Sequence, residues 1–273
     1  VSALLGMASS FAECSLAQLY KERDSQGQFR GGPAWYMARG LGMRWMGVLF
    51  SILLLLAYGF IFNTVQANSV AHALHYAFDL PAAVSGGVLA IFVFLAILRG
   101  LRGVARLMQW LVPIMALLWI ATSLLIGLWH VTALPTIFAT IFRCAFGWQE
   151  AAAGAVGYSI SQALTSGFQR GMFSNEAGMG SSPNAAAAAA SWPPHPAAQG
   201  IVQMIGVFVD TIIICTASAM IVLLAGPVDL PANTTGVQLM QQALVNLTGD
   251  WGADFAAFII VLFAFSSIVM NYI

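Results

Sequence analysis

The chain has 273 residues, of which 60% are hydrophobic and 7% are charged. Soluble domains carry roughly 45–50% apolar and about 25% charged residues, so this composition excludes an ordinary soluble globular protein. Ten lysines and arginines balance ten aspartates and glutamates, which leaves no basic field that would bind nucleic acid.

The apolar segments predict an all-α, polytopic membrane protein. A helix needs about 20 mostly apolar residues to cross a bilayer. The fifth candidate span is rich in Gly, Ser, Ala and Thr, so we expect other helices to enclose it. About seven spans are predicted, at residues 2–20, 45–76, 80–98, 104–128, 151–173, 198–226 and 252–273.

Basic residues in the loops predict the orientation. Five lie at 21–44 and three lie at 99–106, between the third span and the start of the fourth, whereas Arg143 is alone in the opposite loops. Cytoplasmic loops retain Lys and Arg, so residues 21–44 are predicted to be cytoplasmic. The sequence begins at Val1 without an initiator Met and stops within an apolar run, so we expect a single transporter domain, 1–273, truncated at both ends.

Amides interrupt the second predicted span. Gly59, Asn63 and Gln66 share one helix face, and Asn68 lies on a neighbouring stripe. One interpretation is hydrogen bonding between helices, worth on the order of 0.6 kcal/mol per pair in membranes. The other is the polar wall of a solute cavity, which the number of amides favours.

Glycines and a proline predict a break in the backbone at 170–185. Gly178 and Gly180 each cost helix stability by about 1 kcal/mol relative to Ala, and Pro183 removes a backbone donor. A broken or re-entrant backbone at membrane depth must be enclosed by protein or coordinate a solute or ion.

Two residues of this segment also allow a simpler interpretation. Ser174 or Asn175 would cap the alanine-rich helix that follows, which makes the segment a helix end and a turn. Asn175 and Glu176, together with Gly178 and Gly180, are therefore candidates for a structural or gating role.

Asp210 lies at the centre of the sixth predicted span. An ionised carboxylate there costs about 2.5–3.5 kcal/mol on insertion scales, so we expect Asp210 to face the interior of the bundle and to find partners. A hydrogen-bonded structural role and a coupling role in proton or cation movement both remain open.

Ser266 and Ser267 are adjacent hydroxyls deep in the last predicted span. Hydroxyls on helices most often bond back to a carbonyl of the preceding turn. Together with exposed helix carbonyls, they are also the hard oxygen ligands that a bare sodium ion requires.

Five motifs together resemble the sodium:alanine/glycine symporters, the alanine or glycine:cation symporter family. They follow one another along nearly the whole chain, and the SNEAGMGS block is long enough to be specific. The motifs are GGPAWYMARGLG at 31–42, NTVQANSVA at 63–71, RGMFSNEAGMGSSPNAAAAA at 170–189, HPAAQGIVQMIGVFVDTIIICTASA at 195–219 and FAFSS at 263–267.

The resemblance implies a LeuT-like fold, in which two inverted five-helix repeats form a central site. This chain would be an incomplete version containing core helices 2 to 8. It further implies a multi-pass protein of the cell membrane that couples sodium influx to uptake of alanine or glycine by alternating access. The alternative is a passive channel for a small polar solute. An enzyme is not expected, because the histidines are spread over different loops and spans.

Site residues also follow from the resemblance. The third core helix would contact substrate through Gly59, Asn63 and Gln66, and the eighth would bind the co-transported sodium ion through Ser266 and Ser267. The sixth core helix would contribute Gly154, Gly157 and Ser161.

Overall fold

The computed structural model describes residues 2–25, 27–145, 156–226 and 236–272, with the backbone alone for 145 and 156–164. A short antiparallel hairpin pairs β1 (Glu22–Arg23) with β2 (Phe29–Arg30). The helices are α1 (Ser2–Leu19), α2 (Pro33–Arg39), α3 (Arg44–Phe78), α4 (Ala82–Ile97), α5 (Gly100–Trp129), α6 (Leu134–Ala145), α7 (Val156–Asn175), α8 (Ser181–Ala188), α9 (Pro196–Leu224), α10 (Val237–Thr248) and α11 (Trp251–Asn271).

Within the described residues, each predicted span overlaps one helix: α1, α3, α4, α5, α7, α9 and α11. Among the described residues, four helices are long and apolar enough to cross a membrane: α3, α5, α9 and α11. α4 is apolar but has 16 residues, and serines and glutamines interrupt α1 and α7. The structure therefore confirms an all-helical protein with several apolar helices, and the number seven stays a prediction.

Contacts divide the chain into two compact units. The first unit comprises Val1–Leu55 with Ala139–Cys215, and the second comprises Leu56–Phe138 with Thr216–Ile273. In the first unit, α1 packs against α7, α8 and the first part of α9. Its buried face is built from small residues, including Ala3, Ser10 and Ala17. Small side chains allow helix backbones to approach closely, which is how helices associate when lipid is as apolar as their surfaces.

Gly200 marks the closest approach of α9 to α1. A Cβ atom at this position would lie 2.3 Å from Ser15 Oγ and 2.8 Å from the carbonyl oxygen of Phe11. The second of these atoms belongs to the backbone and cannot rotate away. The crossing therefore depends on glycine at this position.

Two side chains of the first unit donate hydrogen bonds to backbone carbonyl oxygens at the end of α8. Gln18, which is 7% exposed, donates a hydrogen bond from Nε2 to the carbonyl oxygen of Ala186 and a second, 3.0 Å long, to that of Ala189. Lys21 Nζ donates to the same Ala189 oxygen at 2.9 Å. The Ala186 oxygen also accepts the backbone N–H of Ala189 at 3.2 Å, so Gln18 adds a second donor to it. The lysine complements the negative end of the helix dipole.

The second unit has a continuous apolar core to which the end of α3, together with α4, α5 and α11, contributes side chains. Val70, Val104 and Val269 are each at most 1% exposed in this cluster. The amide of Gln241, from α10, is fully buried and donates to the carbonyl oxygens of Ala73 at 3.0 Å and Ala253 at 3.3 Å. One side chain thus joins α10 to both α3 and α11.

We predict that Gly200→Ala destabilises the first unit, because the added methyl group would force α1 and α9 apart. Overpacking of this kind costs about 1–3 kcal/mol. Gly206→Ala is the matched control: it lies in the same helix, and a Cβ atom there meets nothing within 4 Å. Thermal unfolding of the detergent-solubilised protein should show a lower Tm for Gly200→Ala and an unchanged or higher Tm for Gly206→Ala. Equal Tm values for the two variants would contradict the close crossing.

Candidate functional site

The backbone is interrupted between α7 and α8. α7 ends at Asn175, and α8 begins at Ser181. Between them, Glu176, Gly178 and Gly180 have φ angles of +52°, +82° and +92°. Glycine adopts this left-handed conformation at little cost, whereas for glutamate it is uncommon. The break predicted from the glycines is therefore confirmed.

Side chains pair with the backbone donors that the break exposes. The amide N–H of Gly178 donates to Glu13 Oε1 at 3.0 Å, and that of Ala177 donates to Asn175 Oδ1 at 3.0 Å. Glu13 belongs to α1, so a carboxylate of one helix holds the interrupted backbone of another. This supports a structural role for Glu13.

The simpler interpretation of the segment, a side-chain cap on α8, is wrong. The N-cap residue of α8 is Gly180, which provides no side-chain hydrogen bond, and Asn175 bonds within its own turn. In the first turn of α8, the hydroxyl of Ser181 instead donates a hydrogen bond to Glu176 Oε2, which precedes the helix, at 2.5 Å. The carboxylate of Glu176 is thereby fixed beside the break.

Asp210 lies in a π-helical turn of α9, Phe208–Ile214. Its Oδ2 accepts a hydrogen bond from Ser174 Oγ at 2.5 Å, and the same hydroxyl lies 3.1 Å from Cys215 Sγ. The expectation that this carboxylate finds a protein partner is confirmed. π turns are rare and occur frequently at functional sites, since the extra residue changes the direction of a side chain.

These groups line an open pocket of about 230 Å³ within the first unit. It contains two carboxylates, those of Glu176 and Asp210, together with hydroxyl and amide groups. The side chain of Asn175 is 9% exposed, and its Nδ2 has no hydrogen-bond partner among the described residues. Oxygen atoms in this arrangement can coordinate a hard cation or accept hydrogen bonds from an ammonium group. The lining residues are Ser174, Asn175, Glu176, Ser182, Gln203, Gly206, Val207 and Asp210.

In the second unit, Asn63 joins α3 to the end of α11. Its Oδ1 accepts a hydrogen bond from Asn271 Nδ2 at 2.8 Å, and Tyr272 Oη donates to the carbonyl oxygen of Gly59 at 3.2 Å. Gly59 lies in a second π-helical turn, Ala57–Phe62. The contacts of Asn63 support the interpretation of helix packing for this residue.

The other predicted substrate contacts are less constrained. Gln66 is half-buried, Asn68 is exposed, and neither side-chain amide bonds to another described residue. Gly154 lies outside the described residues. Gly157 and Ser161 lie in α7, in the part of that helix for which the backbone alone is described. Their roles stay predictions.

The predicted sodium ligands lie in α11. Ser266 is 4% exposed, and its Oγ donates to the carbonyl oxygen of Phe263 at 2.8 Å and lies 3.8 Å from Met115 Sδ. Ser267 is half-buried, and its hydroxyl forms no hydrogen bond within the part of the chain that the structure describes. Of the two, Ser267 therefore has the more available oxygen, and sodium binding stays a prediction.

Sequence reasoning missed the hydrogen bonds that join α5 to the second half of α9. Trp119 Nε1 donates to Ser218 Oγ at 2.9 Å, and Ser123 Oγ donates to the carbonyl oxygen of Ala217 at 3.0 Å. The available signal was the indole itself, because a buried tryptophan N–H in an apolar segment needs an acceptor. Which serine provides that acceptor is a property of the fold.

Several long apolar helices, an interrupted backbone and polar groups that line an open pocket are the features of a multi-pass membrane protein. The family model described as "Sodium:alanine symporter family" matches residues 1–273. The chain belongs to the sodium:alanine symporter family.

Relatives are similar along the whole chain. It is 67% identical over 273 residues to the uncharacterized transporter YaaJ of Escherichia coli K12, covering 100% of this chain and 57% of that protein. It is 47% identical over 272 residues to the amino-acid carrier protein AlsT of Bacillus subtilis, covering 100% and 56%. It is 37% identical over 275 residues to the sodium/alanine symporter AgcS of Methanococcus maripaludis, covering 98% and 59%. The chain thus spans a little more than half the length of these relatives.

We predict that Gly180→Ala destabilises the break more than Gly178→Ala. Both residues have positive φ, but a Cβ atom at 180 would lie 2.3 Å from Phe50 Cζ, whereas one at 178 meets nothing within 4 Å. The positive φ alone costs about 1–2 kcal/mol for alanine, and the clash adds to it at position 180. Thermal unfolding of each variant tests this difference.

Phe50→Ala, combined with Gly180→Ala, should recover the part of the loss that is due to the clash. Because the two residues are in contact, their effects should be non-additive in a double-mutant cycle. Additive losses of stability would show that Phe50 does not pack on Gly180.

Proposed function

We propose that the protein containing this chain is a secondary transporter that couples sodium influx to uptake of a small neutral amino acid, alanine or glycine. The match of every residue of the chain to the sodium:alanine symporter family carries the proposal. The named functions of AgcS and AlsT support it, and the probable sodium/glutamine symporter GlnT of Bacillus subtilis, 42% identical, indicates that related chains differ in amino acid. The polar segments are rich in glycine and alanine. Because these residues are small and allow close packing, they favour a small binding site and therefore a small substrate.

The fold that we propose is LeuT-like, with this chain supplying core helices 2 to 8. In this assignment α1 is the second core helix, α3 the third, α7 the sixth and α11 the eighth. The order of the helices supports it, as does the interrupted backbone after α7, because transporters of this kind place broken helices where solutes bind.

An amino acid presents a carboxylate and an ammonium group. Helix N-termini stabilise the carboxylate, and exposed carbonyl oxygens accept hydrogen bonds from the ammonium. On α3 we assign substrate contacts to Gly59, Asn63 and Gln66, with Asn63 also positioning α3 against α11 through Asn271. On the sixth-helix segment we assign them to Gly154, Gly157 and Ser161.

The break after α7 supplies a hinge in this proposal. Asn175, Glu176, Gly178 and Gly180 form or flank the turn, and Asp210 holds the end of α7 through Ser174. A change in the hydrogen bonds of either carboxylate would alter the angle of the turn. Such a structural or gating role fits alternating access, in which sodium and substrate shift the population of states.

Transport measurements distinguish symport from the alternative, a passive channel. In proteoliposomes containing the full-length protein, an inward sodium gradient should drive alanine or glycine accumulation above its external concentration, and a sodium ionophore should abolish it. A channel would equilibrate the amino acid equally well with potassium in place of sodium. That second result would exclude symport.

We predict that Ser267→Ala raises the sodium concentration required for half-maximal uptake more than Ser266→Ala does. The hydroxyl of Ser266 already donates to a backbone oxygen, whereas that of Ser267 is available to an ion. Sodium activation curves of both variants, measured at saturating amino acid, test the difference. Unchanged activation in the double Ala variant would remove both serines from the sodium site.

A further inference from the structure

A second open pocket lies where α2 packs on the start of α3, in the first unit. The two helices touch at Gly47, where a Cβ atom would lie 2.6 Å from the carbonyl oxygen of Ala34. The pocket beside this contact has a volume of about 540 Å³. Its lining residues are Ala34, Trp35, Ala38, Arg39, Arg44, Gly47, Val48 and Ser51.

Two arginines give this pocket a positive charge. Arg39 forms an ion pair with Glu22, while Arg44 is exposed and forms no ion pair with a described residue. Arg44 is also the first residue of α3, so the positive end of that helix dipole adds to its charge. Across residues 21–44, five basic side chains outnumber two acidic ones.

The pocket continues into an apolar surface. On the side of α3 that lines the pocket and in the following turns, Val48 is exposed by 54%, Ile52 by 52% and Leu55 by 66%. Trp45, at the start of the helix, is exposed by 66%. The apolar span Arg44–Phe78 begins at the pocket, on the side that the distribution of basic residues assigns to the cytoplasm. Tryptophans next to a basic cluster at the start of a span are typical of the level of lipid headgroups.

We propose that this pocket binds the headgroup phosphate of an anionic phospholipid from the cytoplasmic leaflet. Arg39 and Arg44 would hold the phosphate, because guanidinium groups match phosphate oxygens in bidentate geometry. An acyl chain would follow Val48, Ile52 and Leu55 along α3. The apolar continuation favours a lipid over free phosphate, and the proposal does not depend on what the protein transports.

Native mass spectrometry of the full-length protein, titrated with phosphatidylglycerol or phosphatidylcholine, measures this binding. Phosphatidylglycerol should bind with a resolved high-affinity step that phosphatidylcholine lacks. The variant Arg39→Gln/Arg44→Gln should bind it about 30-fold more weakly, which corresponds to about 1 kcal/mol for each arginine removed. Glu22→Gln, which frees Arg39 from its ion pair, should strengthen binding.

The matched control is Arg102→Gln/Arg106→Gln, which removes two exposed basic residues from the other predicted cytoplasmic segment and should leave the high-affinity step unchanged. Ala38→Phe fills the pocket without altering its charge and should also weaken binding, which keeps the test informative if the arginine variant folds poorly. Equal loss in the control, or unchanged affinity in Ala38→Phe, would overturn the proposal. Displacement of the lipid by inorganic phosphate at similar concentration would show that the pocket binds a free anion instead.

Discussion

The structure depends on one interaction: hydrogen bonds that pair polar groups of apolar helices with one another inside the protein. Hydrocarbon offers no hydrogen bonds, so placing an unpaired amide or carboxylate there raises the free energy of the folded protein by roughly several kcal/mol. In the first unit these hydrogen bonds join Asp210 to Ser174 and Glu13 to the backbone of Gly178. In the second unit they join Asn63 to Asn271. These pairs connect helices far apart in sequence and so determine which helices pack together.

Small residues make those pairs possible. Gly200 brings α9 onto α1, and Gly180 accommodates the ring of Phe50 beside the break. Closely packed backbones leave little room for water except where polar groups line a pocket, as Glu176 and Asp210 do. The same chemistry therefore stabilises the first unit and creates its polar site. This combination suits the hinge that we propose, because a hinge must be well packed in each state and still allow a change of hydrogen bonds.

Much of the helical architecture could be predicted from the sequence. Hydropathy locates the span 45–76 within two residues of α3, Arg44–Phe78, and the glycines locate the break after α7. The interior position of Asp210 follows from the cost of leaving a carboxylate in lipid. In each case a single local property is strong enough to decide the structure.

The π turns and the long-range hydrogen-bond partners could not be predicted without the three-dimensional fold. The local sequence does not predict the π turns at Ala57–Phe62 and Phe208–Ile214. A π turn differs from an α turn only in that each backbone hydrogen bond spans one more residue. The partner of Asn63 is 208 residues away, and no local pattern around Gln18 indicates that its amide bonds to the end of α8. Amides identify positions that need a partner, but the packing of helices decides which partner they obtain.

The central claim is that polar groups of these helices face a water-accessible pocket and not lipid. The most direct test places single cysteines on α9 of the full-length protein, in a background where every native cysteine, including Cys14, Cys144 and Cys215, is replaced by serine. Gln203→Cys lines the pocket, whereas Ile205→Cys takes the place of an apolar side chain that is 52% exposed. A membrane-impermeant, hydrophilic thiol reagent, applied to both faces of reconstituted vesicles, should modify Gln203→Cys far faster than Ile205→Cys. Equal rates, or no reaction at position 203, would contradict the account.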